Sequence, residues 1–147
     1  MPKHSETRKM PYTAEQMYDL VADMARYPEF LPWMAAARIR SWKREGECDV
    51  ADVDLVISFK VFRERFGSRA VLCPKERTID SEFLDGPFRY LHSHWAFRDV
   101  EGGCIVEYDV DFEFRNAILQ KVIGVVFNEA MQRVVRAFEQ RAHELYG

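Results

Sequence analysis

Residues 104–116 read Cys104-Ile105-Val106-Glu107-Tyr108-Asp109-Val110-Asp111-Phe112-Glu113-Phe114-Arg115-Asn116. Cys104, Val106, Tyr108, Val110, Phe112 and Phe114 alternate with Ile105, Glu107, Asp109, Asp111, Glu113 and Arg115. Successive side chains of a strand point to opposite faces, so this is an antiparallel strand with one buried and one wet face. At Asn116 the period changes. Leu119, Val122, Ile123, Val126, Phe127, Ala130, Met131, Val134, Val135, Phe138 and Ala142 recur at the spacing of one helix face. Asn116 can cap the start, and the predicted helix, Asn116–Tyr146, exceeds the mean globular helix of about 11–12 residues. Such a helix needs a long surface to lie on, and a curved antiparallel sheet offers one.

The same alternation extends backwards from Arg115. Ala51, Val53, Leu55, Ile57 and Phe59 alternate with Asp52, Asp54, Val56 and Ser58. Breaks at Glu45–Gly46, near Val61–Arg63, at Pro74–Lys75, at Asp85–Gly86–Pro87 and at Glu101–Gly102–Gly103 divide Ala36–Arg115 into six strands. The connections are short, which implies a meander. Further back, Thr13 and Gln16 form a capping-box pattern, and Met17, Leu20, Val21 and Met24 predict a helix over Ala14–Met24. Pro28 and Pro32 end it, leaving room for one helical turn at Pro28–Leu31. Ser5–Lys9 could form a first strand closed by Pro11. The predicted fold is α+β: a curved antiparallel sheet wrapped around a long C-terminal helix, with two short N-terminal helices. Residues 1–147 form one domain without repeats or linkers.

Composition narrows the function classes. A chain of 147 residues can bury a sizeable core. It is 48% hydrophobic and 14% aromatic, with eleven phenylalanines, which predicts either a very aromatic core or a ring-lined cavity. A net charge of −3 lacks the basic footprint of a nucleic-acid binder, so no direct nucleic-acid contact is expected. The basic stretches Arg38–Arg44 and Arg63–Arg69 read as solvated strand faces. Cys48, Cys73 and Cys104 stand far apart without CxxC spacing, which predicts three reduced thiols and no disulfide in a cytosolic protein. Met1–Met10 lacks an apolar signal-peptide core, and no run approaches the ~20 apolar residues of a membrane span. The expectation is a soluble cytoplasmic protein; peripheral contact with the inner membrane stays open.

Chemistry has few candidate homes. His92 and His94 share a strand face, but Leu91, Ser93, Trp95 and Phe97 make the better inward set and no third ligand is visible. No metal site is predicted, since a zinc site needs three or four protein ligands. Glu107, Asp109, Asp111 and Glu113 form a carboxylate ladder on the polar face, where a solvated edge or cross-strand pairing with arginines is expected. No GxSxG elbow and no glycine-rich phosphate loop occurs, so no catalytic residue and no cofactor is predicted. Tyr108 lies among inward positions; its hydroxyl makes either a structural hydrogen bond or a polar anchor for a ligand carbonyl.

The segments Tyr27-Pro28-Glu29-Phe30-Leu31-Pro32-Trp33, Gly86-Pro87-Phe88-Arg89 and Trp95-Ala96-Phe97 resemble the coenzyme Q-binding branch of the START-like superfamily, which includes polyketide cyclase/dehydrase-like and RatA-type proteins. The resemblance implies a START-like helix-grip fold with a deep apolar cavity. It implies a non-catalytic carrier or chaperone of ubiquinone or a related polyprenyl lipid, supporting respiratory electron transport. The alternative is a RatA-type ribosome-associated toxin-like protein that interferes with ribosomal subunit association. A small-molecule cyclase is the weakest reading, for want of polar groups inside. The topology predicts that Phe30, Leu31, Trp33, Ile57, Phe59, Phe83, Trp95, Tyr108, Phe127 and Met131 line or close one apolar cavity. Phe30, Leu31 and Trp33 either form a lid held by the two prolines or simply plug the core.

Overall fold

A computed structural model describes residues 3–59 and 62–147. The chain order is β1 (Lys3–Met10), α1 (Ala14–Ala22), a 3-10 helix (Met24–Glu29), β2 (Met34–Glu45), β3 (Cys48–Phe59), β4 (Phe62–Cys73), β5 (Thr78–Asp85), β6 (Phe88–Val100), β7 (Gly103–Phe114) and α2 (Ala117–Tyr146). The break expected near Val61–Arg63 falls partly on residues 60 and 61, outside the described residues. All strand pairs are antiparallel in one sheet of order β1-β7-β6-β5-β4-β3-β2. The meander β2–β7 leaves β7 at one side, and β1 pairs with it from Lys3 opposite Asp111 to Met10 opposite Cys104. That pairing requires Gly103. At φ 157° any Cβ there would meet the Met10 carbonyl oxygen at 1.9 Å.

The helices start where side chains satisfy free N–H groups. Thr13 Oγ1 accepts from the Gln16 N–H at 3.1 Å, while Gln16 Oε1 accepts from the Thr13 N–H at 3.0 Å. Asn116 Oδ1 accepts from the N–H groups of Ile118 and Leu119 at 2.9 and 3.0 Å. Helix α1 stops at Ala22 rather than at Met24. Asp23 leaves helical geometry (ψ 64°), and the chain re-forms as the 3-10 helix containing Pro28, which takes the place of the turn expected at Pro28–Leu31.

One sheet face packs on α2 and α1; the other carries charge. Arg69 pairs with Asp52 (2.8 Å), and Arg65 bridges Asp54 and Asp85 (2.5 and 2.9 Å). Hydrogen bonds from Arg69 and Arg65 hold the Asp52 and Asp85 carboxyls below the usual carboxylate range. On β7, Asp111 accepts from the Tyr90 hydroxyl at 3.2 Å and Glu113 pairs with Arg89 at 3.4 Å. The basic stretches thus pair across strands with Asp52, Asp54 and Asp85, and the ladder members Asp111 and Glu113 with Tyr90 and Arg89 on β6.

The cysteines correct the sequence reading: Cys48 and Cys73 are joined by a disulfide, and Cys104 is free and buried. The β3–β4 register pairs Asp49 with Leu72, so Cys48 and Cys73 face each other one step further along. Their Cα atoms lie 4.3 Å apart, the closeness of a non-hydrogen-bonded antiparallel pair. Sequence distance and the absence of CxxC spacing carry no information about this juxtaposition, because strand register alone creates it.

Candidate ligand cavity

Helix α2 lies along the inner sheet face but does not meet it evenly. Near its C-terminus α1 fills the space. The Tyr146 hydroxyl donates to the Gln16 carbonyl at 3.0 Å, and Tyr18 sits edge-on to Phe97 with centroids 6.0 Å apart. A ring cluster bounds this plugged end: Phe138 packs against Trp95 (5.1 Å), Phe30 (5.3 Å) and Tyr27 (5.7 Å). Towards the N-terminal half of α2 the side chains no longer reach across, and a cavity of about 270 Å³ opens between helix and sheet.

Its walls come from every layer. Ile123, Phe127, Ala130, Met131 and Val134 descend from α2; Val53, Leu55, Ile57 and Phe59 come from β3; Leu31, Pro32 and Trp33 come from the loop before β2. Eight of the ten residues predicted from sequence line it: Leu31, Trp33, Ile57, Phe59, Trp95, Tyr108, Phe127 and Met131. Trp33 has φ 62°, a left-handed conformation that bulky residues rarely adopt, and its carbonyl accepts from the Ser58 N–H at 2.8 Å. Its indole meets Phe59 edge-on at 5.5 Å, which closes the β2–β3 corner of the cavity.

Phe30 and Phe83 are not on the wall. Phe30 points outside it, between Tyr27 and Phe138 and beneath the Arg141 guanidinium at 5.2 Å, because the 3-10 helix turns that ring towards the flank of α2. Phe83 is screened by Phe88. An irregularity in pairing between Phe88 and Tyr90 swings Phe88 inward, where it stacks on Phe114 (4.5 Å) and contacts Phe66 (5.0 Å) and Phe83 (5.7 Å). Sequence reasoning missed Phe66 and Phe112 on the wall, although both fit strand alternation, and Phe88, which the pairing irregularity brings inward out of phase with the rest of β6. It also missed Ser68 and Ser81, which carry no apolar signal.

Among the described residues no acid, amine, guanidinium or imidazole lines the cavity. The polar side chains on its wall are the hydroxyl-bearing Tyr27, Ser68, Ser81, Ser93 and Tyr108 and the indoles of Trp33 and Trp95. The Tyr27 hydroxyl donates to the Val21 carbonyl, and Ser68 Oγ donates to the Glu82 carbonyl at 3.3 Å. Burial pushes the phenols of Tyr27 and Tyr108 well above their ordinary range. Tyr108 stacks on Trp95 at 4.1 Å and holds its ring against the sheet. His94 lies outside this space, paired with Asp80 at 2.6 Å on the other face. Among the described residues no group of three or more His, Cys, Asp or Glu is placed to hold a metal ion.

A curved antiparallel sheet gripping one long helix around an apolar cavity defines a START-like helix-grip protein. Residues 10–139 match the family described as polyketide cyclase / dehydrase and lipid transport, and the chain belongs to that family. It is 36% identical to the "Ribosome association toxin RatA" of Rickettsia prowazekii over 99% of both chains. It is 30% identical to the "Coenzyme Q-binding protein COQ10 homolog B, mitochondrial" of Xenopus laevis, over 99% of this chain and 59% of that protein. The solved START superfamily protein from Mycobacterium smegmatis superposes with a TM-score of 0.81 at 18% identity, over 97% of this chain and 98% of the other. The family, the fold and the RatA and COQ10 branch of the START-like superfamily thus agree.

Proposed function

We propose that the chain is a non-catalytic binding protein that holds ubiquinone or a related polyprenyl lipid in the cavity under α2. The observation that carries this reading is the cavity itself: about 270 Å³, walled by aromatic and aliphatic side chains, with uncharged hydroxyl and indole groups as its polar side-chain atoms. Ligand pockets usually span about 300–1,000 Å³, so this one suits a ring and the first part of a tail rather than a whole polyprenyl chain. Burial of each tail methylene contributes about 0.8 kcal/mol, so affinity needs few polar contacts. The similarity to a coenzyme Q-binding protein supports the same ligand class. Among the described residues no helix is long and apolar enough to cross a membrane, and exposed Ile118 and Val125 on α2 are compatible with peripheral membrane contact during loading.

The similarity to a ribosome association toxin over the full length of both chains favours a second reading, in which the outer surface engages a ribosomal subunit. The two are separable. Organic extracts of the purified protein, analysed by mass spectrometry, should contain a quinone or polyprenyl lipid. Sedimentation of the extracted protein with ribosomal subunits should show no co-migration. Co-migration together with lipid-free extracts would reverse the order of the two readings.

A further inference from the structure

The inner sheet face carries an ordered polar feature that an apolar container does not need. Ser68 on β4, Ser81 on β5, Ser93 on β6 and Tyr108 on β7 all line the cavity, one from each of four successive strands. Their registers make a continuous path. Ser68 pairs with Phe83, two residues from Ser81; Ser81 pairs directly with Ser93; Tyr108 pairs with Trp95, two residues from Ser93. Each step therefore crosses to the adjacent strand or moves diagonally by one inward position. Ser68 donates to the Glu82 carbonyl, which leaves its oxygen able to accept. Among the described residues the hydroxyls of Ser81, Ser93 and Tyr108 have no hydrogen-bond partner, and none of them is sealed inside packed atoms. An apolar occupant would strip these hydroxyls of solvent without replacing their hydrogen bonds, so an occupant that supplies oxygens to these donors is favoured.

We propose that Ser81, Ser93 and Tyr108 form an oxygen-recognition track that selects ligands with a flat ring bearing two or more oxygens, seated ring-inward on the sheet. This rests on the cavity-binding reading and adds a specificity and an orientation to it. Directly opposed side chains have Cβ atoms about 4.5–5.5 Å apart, a spacing suited to two oxygens on one six-membered ring. Trp95, stacked on Tyr108, offers the ring a flat neighbour. The tail then extends towards the α2 wall at Met131 and Ile123.

The test compares two ligands that share a tail, decyl-substituted dimethoxybenzoquinone and decylbenzene, by calorimetric titration of lipid-stripped protein. The proteins are wild type, the Ser81→Ala/Ser93→Ala double variant, and Tyr108→Phe, which keeps the ring stack. Wild type should prefer the quinone. Both variants should lose about tenfold in quinone affinity, the order expected for a lost hydrogen bond to a desolvated group, and hold decylbenzene within about twofold. Equal quinone affinity in all three proteins overturns the track while leaving apolar binding intact. Equal loss of both ligands in the variants also overturns it, because the serines would then be acting through structure. Failure of wild type to bind either ligand defeats the cavity-binding reading, and the track falls with it.

Discussion

Trp95 and Leu31 both touch the cavity, yet their substitution should weigh differently on stability and on bound lipid. The Trp95 indole is 9% exposed and packs on Phe97, Tyr108 and Phe138, so it knits the plugged end of the core to the cavity floor. Trp95→Ala should cost about 3–5 kcal/mol, the usual range for a buried tryptophan. Leu31 is half-buried in the loop between Pro28 and Pro32. Leu31→Ala should cost less than the roughly 2–5 kcal/mol of a fully buried leucine, while bound lipid falls. Thermal unfolding beside lipid content decides between them. A loss within that range for Leu31→Ala would make the residue ordinary core, and unchanged lipid content would remove it from the site.

The helix and the strands make predictions of their own. Asn116 caps α2 through two N–H groups, and Asn116→Ala should destabilise the fold by about 0.5–2 kcal/mol in denaturant titrations. The Cys48–Cys73 bridge closes a segment of sequence separation 25. Thiol titration of unfolded, unreduced protein should find one free group, Cys104, and three after reduction. Replacing both bridged cysteines with serine should lower stability by about 2–4 kcal/mol, the span expected for a loop of this length. Three free thiols before reduction would exclude the bridge. The element order was legible because alternation and helical spacing are local: the switch at Asn116 alone implied a sheet and its helix. The cavity was legible where inward alternation is regular, at Ile57, Phe59, Trp95 and Tyr108. It failed at Phe83, where an irregularity beside Tyr90 rotates Phe88 in front of it, and at Phe30, where the 3-10 helix sets the ring direction. The bridge was hidden for a related reason, since cross-strand register is a property of two segments and not of either one.

The whole molecule should unfold in alkali through its phenols. Burial, followed by the charges of Asp49 and Asp19, pushes the Tyr18 hydroxyl up to about 12, and burial raises Tyr27 and Tyr108 further. Folding favours the neutral form of each. Their contribution is therefore fully present below the ordinary tyrosine range near pH 10 and falls above it, that of Tyr18 being lost as pH rises through about 12 and those of Tyr27 and Tyr108 at higher pH still. The outer-face pairs use arginine, which keeps its charge over that interval, so they do not drive the transition. Tyrosinate absorbance should rise for these three residues together with loss of far-ultraviolet dichroism; complete ionisation below pH 11 with the fold intact would contradict the burial argument. The β1–β7 pairing has a further consequence in time. Lys3 and Asp111 are partners, so on a chain made from its N-terminus β1 waits roughly 5–20 s for β7 at the usual 5–20 residues per second. Helix α2, the last 30-residue element, follows later still and supplies the roof. On the nascent chain the container does not exist until α2 has been made and has folded onto the sheet, so any cargo is acquired only after that step.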